Sequence, residues 1–557
     1  MRWIGLLCGA LLALAAVSSA LAESALVDVT ALSASDTVGQ YSPLTLTATV
    51  SHGAGAPAGS VAFYALEDGA ASYRLLGTAD AALWSGGSAS FVYADGFADV
   101  GAVSLMARYV PAAAETAFVA GASAAAIVNV RGIRTFAELK SAVESASGSR
   151  TLTLDSDFTT SGSISIPAGA SVTLIGGHTL TRGTADTLFV SDRGGSLTLS
   201  DVILNGASLG GEPFLLFTSS PLTLSQGAIL RGVASSGGIV AVSSDIVLEH
   251  NAVVSDCTVP GGVIRLTNGS LTLRDNARVL NCSSSGNGGG VALLGTARAS
   301  LSGTASVAGC TAASQGGGFY VLGSGSDRPA LTLADDSSIS DCKAEKGGGI
   351  YADNASVTLH NRAALRDNSA RLMGGGLHLL GSASTLTMDG SSRISGNQTT
   401  EDSGAFMGGG GARLDGGAKA FMSGNAAVAG NTAHYDGGGF NLCDSAALQM
   451  SESASVSGNT ATWGNGGGVN VDRGAQLLLS GFATINQNTA HINGGGVDLD
   501  GLVTGAQSAA STTATLSGYA SIRDNTCLQS GGGVMVYKFS TLTLQEHAAI
   551  SGNSAKA

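Results

Sequence analysis

The sequence predicts an all-β protein in two parts, a β-sandwich followed by a long parallel coil of three-strand turns. Three observations carry that prediction. Triple-glycine blocks followed by an apolar residue end at Gly290, Gly318, Gly349, Gly376, Gly411, Gly439, Gly468, Gly496 and Gly533, and shorter Gly-Gly versions end at Gly238 and Gly262. Their commonest step is about 28 residues, within the range where self-similarity signals a solenoid. From Arg150 onward apolar residues alternate with period two, and helical spacing does not return.

Composition narrows the class. The chain has 557 residues, 82 of them Gly, with 44% hydrophobic and 12% charged residues and a net charge of −13. Disorder needs the opposite balance. A length like this fits one core only if a repeat lets that core grow in a single direction. An acidic sum with few Lys and Arg matches phosphate backbones poorly, so nucleic acid is not an expected partner.

Taken in order, residues 1–22 read as a secretory signal. Arg2 gives the positive start, Leu6 to Val17 the apolar stretch, and Ala20-Leu21-Ala22 a small-x-small cleavage site before Glu23. Cys8 lacks the small-residue context of a lipoprotein cysteine. No later apolar run reaches the roughly 20 residues of a membrane helix, so no transmembrane segment is expected after cleavage. The expected location is secreted or on the cell-envelope surface.

Residues 23–131 hold seven short runs separated by Gly, Pro and Asp. In one of them Leu44, Leu46, Ala48 and Val50 alternate with Thr and Ser, the pattern of a half-buried strand. Seven such runs fit a sandwich of immunoglobulin type, here without a cysteine pair. Residues 132–149 form a linker and a capping helix. Thr135 and Glu138 have the spacing of a capping box, and Phe136, Leu139, Ala142, Val143 and Ala146 fall at helical spacing before Gly148. A coil's first rung needs such a cover, because an open end exposes core and unpaired backbone.

Residues 150–557 form the coil. Each repeat shows three strand-like runs, as in Phe319-Tyr320-Val321, Leu331-Thr332-Leu333 and Ile339-Ser340. Stacked coils pair each strand in parallel with its copies above and below, and alternate side chains fill the interior. No crossover helices separate the runs, which excludes a βαβ sheet. A column precedes the glycine blocks: Cys257, Cys282, Cys310 and Cys342, then Asn368, Asn397, Asn431, Asn459, Asn488, Asn525 and Asn553. Stacked Asn can bond along such a ladder. Buried free thiols are the favoured state of the cysteines. Parallel Cβ vectors suit a disulfide poorly, and a line of sulfurs does not converge on a metal, although both alternatives stay open.

Two resemblances follow from these residues. Pro57-Ala58-Gly59-Ser60-Val61-Ala62-Phe63-Tyr64, Leu76-Gly77-Thr78 and Ala107-Arg108-Tyr109 resemble the bacterial Ig-like repeat domains of surface proteins. That implies a spacer or binding module without catalytic residues. The C-terminal half, from about Gly237, resembles polymorphic outer membrane protein repeats and related adhesins. It does so through Gly466-Gly467-Gly468-Val469 and through Ile394-Ser395-Gly396-Asn397, Val456-Ser457-Gly458-Asn459 and Ile550-Ser551-Gly552-Asn553, with an aliphatic residue in place of the family's Phe. The resemblance implies a right-handed parallel β-helix of the pectin lyase-like fold class. The run of barrel strands needed for outer-membrane insertion is not seen, so transport through an own-chain barrel is not expected.

Candidate chemistry lies after the glycine blocks. Val469 and Val471 should point inward, leaving Asn470 and Asp472 outside. Asp472, Asp498 and Asp500 then cluster on two adjacent rungs, with Asp498 and Asp500 about 6.6 Å apart along one strand. That spacing lies near the carboxylate separation of inverting glycosidases, and clustered carboxylates also hold Ca²⁺. Arg413, Asp415 and Asn470 are the ligand-binding candidates of the same column. A solvated polar face is the favoured reading, with ligand or Ca²⁺ binding and catalysis as alternatives. His434 and His491 lie two rungs apart with Trp463 between them, too far for a metal pair. Long insertions, including Thr504–Thr513, are natural places for specific contacts.

The functional expectation is an exported, adhesin-like solenoid without a required cofactor, displaying polar faces and loops to extracellular glycans or proteins. Its rivals are a polysaccharide lyase or glycoside hydrolase acting in a groove on the coil, and a passive spacer.

Overall fold

The protein is described by a computed structural model covering residues 24–85, 87–401, 407–501 and 511–556. The expected signal segment, Cys8 and most of the Thr504–Thr513 insertion lie outside the described residues. The chain divides into two units, one made of Met1–Ala142 with Leu152–Asp155, the other of Val143–Thr151 with Ser156–Ala557.

In the first unit each of the seven alternating runs forms a strand. One sheet has the order Ser88–Tyr93, Leu44–His52, Ala25–Ser33, Phe118–Ala120. The other runs Thr37–Gly39, Ala124–Arg131, Gly101–Pro111, Gly59–Leu66, Arg74–Asp80. Thr37–Gly39 and Phe118–Ala120 escape the sequence reading because three residues are too short to show a period. Val27, Leu46, Phe63, Leu105 and Val128 come from both sheets and share one buried core. Each such side chain contributes about 1.5–3 kcal/mol of burial.

Helix Phe136–Glu144 follows, with the Glu138 amide donating to Thr135 Oγ1 at 3.3 Å. The return half of the capping box is shared. The Glu138 carboxylate takes a backbone hydrogen bond from Thr135, accepts from the Arg134 amide at 2.9 Å and pairs with the Arg131 guanidinium at 2.6 Å.

The second unit is a parallel β-solenoid of about 14 coils. The three-strand coil needs correction. From Thr258–Val259 onward a fourth, very short strand joins each coil, as in Val469–Asp472, Gln476–Leu479, Thr484–Asn486 and Thr489–Ala490. Two residues carry no periodicity, so this piece was invisible in the sequence. The first two strands of each coil belong to one 27-stranded sheet, joined where Ile239–Leu248 and Ile264–Leu273 run through both positions. The third and fourth strands build sheets of 15 and 11 strands.

The glycine blocks make the corner between the fourth and first strands. A Cβ on Gly467 would meet the Gly495 carbonyl oxygen and the Thr489 carbonyl carbon, each at 2.5 Å. Backbone packs directly on backbone there, and only glycine permits it.

Behind each corner the Asn column forms a continuous ladder. Asn459 Oδ1 accepts from the backbone amide and from Nδ2 of Asn431, both at 2.9 Å, while its own Nδ2 donates to Asn488 Oδ1 at 2.9 Å and to the Val428 carbonyl at 3.0 Å. Asn368, Asn397, Asn431, Asn488 and Asn525 repeat the pattern, and Asn553 Nδ2 donates to Ile522 at 2.9 Å. Cys257, Cys282, Cys310 and Cys342 are buried free thiols. They take the same part in the ladder, because the sulfurs of Cys282 and Cys310 accept from the amides of Cys257 and Cys282 one coil earlier.

On the outside of the second strands a row of small residues, nearly all hydroxyl-bearing, runs in register. It passes through Thr173, Thr198, Thr223, Thr272, Ser300, Thr332, Thr358 and Thr387, with Val247 as the one apolar member. Phe421, Gln449 and Leu478 then interrupt it on three consecutive coils before Thr515 and Thr543 resume.

Candidate functional site

The outward side of the first strands holds the predicted site residues. One column reads Tyr320, Tyr351, His378, Arg413, Asn441, Asn470, Asp498 and Met535 in register. Two residues further along the strands, Asp353, Leu380 and Asp415 stack in one run, and Asp472, Asp500 and Tyr537 in another. The register therefore brings Asp472, Asp498 and Asp500 together on adjacent coils, and sets Arg413 three coils before Asp498.

The expectation of a solvated face is overturned. His378 and Arg413 are 4% exposed, Asp415 8%, Asn470 2%, Asp472 7% and Asp498 5%. The cause is the wall made by the turns that lead into the glycine blocks. Asn287 reaches the Tyr320 hydroxyl, Gln315 reaches that of Tyr351, and Asp436 stands within electrostatic range of Asp472 and Asp498. Alternation assigns a side chain to the outside of its own strand. It cannot show that the neighbouring corner folds over that outside.

Two bonded clusters result. In the first, Asp415 Oδ2 lies 2.8 Å from His378 Nε2 and accepts from Arg413 Nε at 2.7 Å, and its Oδ1 accepts from Arg413 Nη2 at 2.9 Å. Tyr351 packs edge-on against His378 at 5.2 Å. Burial alone would raise Asp415, but the His378 hydrogen bond and the Arg413 charge hold its carboxyl well below the usual carboxylate range. Burial also lowers His378, against the pull of Asp415. In the second cluster Asn470 Nδ2 donates to Asn441 Oδ1 at 3.1 Å and to Asp472 Oδ2 at 3.2 Å, and the Cys443 thiol donates to Asn441 Oδ1 at 3.2 Å.

Asp472 and Asp498 are pushed well above the usual carboxylate range. Burial, then repulsion from Asp436, pushes Asp472 up to about 7. Burial with Asp436, Asp472 and Asp500 pushes Asp498 up to about 8. A protonated, buried carboxyl is a hydrogen-bond donor and a potential general acid. Among the described residues no three His, Cys, Asp or Glu side chains converge on a point where a metal could sit. His434 and His491 are turn residues, with Trp463 packed on His491 at 4.9 Å.

Strand alternation alone puts Tyr351 and His378 in this outward column, whereas sequence reasoning missed Asp436 as a member of the seam. A signal for Asp436 existed, since Asp436, Asn465 and Asn493 each directly precede a glycine block. They form a second ladder, in which Asp436 Oδ1 accepts from the Asn465 amide at 2.8 Å and Asn465 Oδ1 from the Asn493 amide at 3.1 Å. No family model, curated protein or solved structure matches this chain.

Proposed function

We propose that the protein is an exported, adhesin-like β-solenoid whose outer faces bind extracellular glycans or proteins. The observation that carries this reading is the in-register hydroxyl row on the second strands. Stacked coils repeat it about every 4.8 Å, which offers the same weak polar contact many times along one line. The two-sheet first unit serves as an Ig-like spacer, the helix at Phe136–Glu144 as the cover of the first coil, and the solenoid as a right-handed β-helix. The recurring Gly-Gly-Gly-apolar and Ser-Gly-Asn elements, which resemble adhesin repeats, support the same reading. Beads coated with the purified protein should be retained on arrays of glycans and matrix proteins. Retention on neither would rule out the adhesin reading and leave the passive spacer and the enzymatic rival.

One observation favours the enzymatic rival, namely the upward-shifted carboxyls of Asp472 and Asp498 beside Asp436. The low exposure of Asp472 and Asp498 weighs against it. Turnover of a neutral or acidic polysaccharide that disappears in Asp498→Asn would reverse that judgement.

A further inference from the structure

The three-coil interruption of the hydroxyl row forms a depression of about 210 Å³, with Phe421 and Leu478 exposed at 37% and 38%. Gln449 stands between them in register, one coil from each. Ser423, Ser451 and Ser480 line one side. The hydroxyls of Ser451 and Ser480 are only loosely engaged, at 3.4 and 3.3 Å from the carbonyls of Met422 and Met450, and so remain able to accept and donate. No residue lining the depression carries an ionisable side chain. Along the axis, Phe421 to Leu478 spans two coil steps, or about 10 Å.

Threonine is what this row holds at most other coils, so the three large side chains are a local departure in one place. Each supplies something different. Phe421 gives a flat apolar face, Gln449 an amide that both donates and accepts, and the serines a rim of hydroxyls. A ligand with an apolar C–H face edged by hydroxyls matches that set. A charged ligand would lose hydration and find no counter-charge in the lining.

We propose that Phe421, Gln449 and Leu478 form a binding subsite for a short, neutral oligosaccharide segment. The proposal rests on the glycan-binding reading above and names the place and the ligand class. Phe421 stacks on one sugar ring, Gln449 and the serines bond its hydroxyls, and Leu478 packs against the next ring.

The test is titration calorimetry of the full chain against neutral oligosaccharides and against carboxylated analogues of the same length. The wild type should bind a neutral member and bind its carboxylated analogue at least about tenfold more weakly. The combined change Phe421→Thr, Gln449→Thr and Leu478→Thr restores the residue type found along the rest of the row. It should reduce neutral-sugar affinity at least about tenfold with unchanged circular dichroism and melting. Leu478→Thr alone gives a smaller loss and serves if the combined variant misfolds. Neutral-sugar binding that survives these changes, or a wild type that prefers the carboxylated series or binds no neutral sugar, overturns the subsite. Bead retention on the arrays that the combined change leaves intact would sink the subsite while the adhesin reading stands. An array without retention would end both.

Discussion

Replacing Asn459 with Ala tests the ladder. The substitution removes Oδ1, the acceptor for the backbone amide and for one Nδ2 proton of Asn431, and both donors lie in a fully buried residue. The other Nδ2 proton of Asn431 keeps its bond to Ile394 at 3.0 Å. Two buried donors are therefore orphaned, at about 1–3 kcal/mol each, for a total of about 2–6 kcal/mol. Asn459→Cys should cost less, because sulfur accepts the preceding coil's amide in the Cys257–Cys342 stretch. Long repeats do not unfold in one step, so a single global free energy is the wrong readout. Hydrogen exchange read by mass spectrometry on a peptide spanning residues 427–433 reports the affected amide directly. A loss of about 3 kcal/mol corresponds to roughly a hundredfold loss of protection. Protection within threefold of wild type in Asn459→Ala, or Cys no better than Ala, would refute the account of the column.

Three further outcomes follow. Asp472 and Asp498 have folded-state pKa values above the unfolded ones, so the folded chain binds more protons; their stabilising effect is complete at acid pH and is lost as pH rises through about 7 to 8. Urea midpoints should thus fall between pH 5 and 9, and Asp498→Asn should flatten that slope. Asp415→Asn takes the carboxylate from a guanidinium that is 4% exposed and should cost about 3–5 kcal/mol of local stability, whereas Asp336→Asn, which breaks the exposed pair with Arg362, should leave its coil unchanged; hydrogen exchange on peptides over the two strands separates them. Gly467→Ala should abolish soluble expression, because its Cβ meets backbone at 2.5 Å, while Gly430→Ala, with φ 63° and open space, should cost only about 1–2 kcal/mol of local protection in the same exchange measurement.

The coil was legible because its signals are periodic. Glycine corners, inward Leu and Val, and the Cys-to-Asn column each recur at the coil's own step, and repetition substitutes for certainty at any one place. The site was half legible. Register placed Asp472, Asp498 and Asp500 together, since a one-residue slip would have turned every valine outward. Their burial was not legible, because it depends on Asp436, Gln315 and Asn287 arriving from a different corner of the coil. The hydroxyl row is present in Leu331-Thr332-Leu333, but a threonine between two inward leucines carries no signal of its own. Its break at Phe421 is visible only when the coils are laid side by side.

The Asn ladder also bears on how long such a protein can be. Every bond in it joins one coil to the next, as with Asn459 to Asn488, and none reaches across two. A coil inserted or deleted whole therefore meets the same neighbours on both sides. Length is an independent variable in this architecture, free to drift by duplication or loss of about 28 residues at a time while the chemistry of each rung stays fixed.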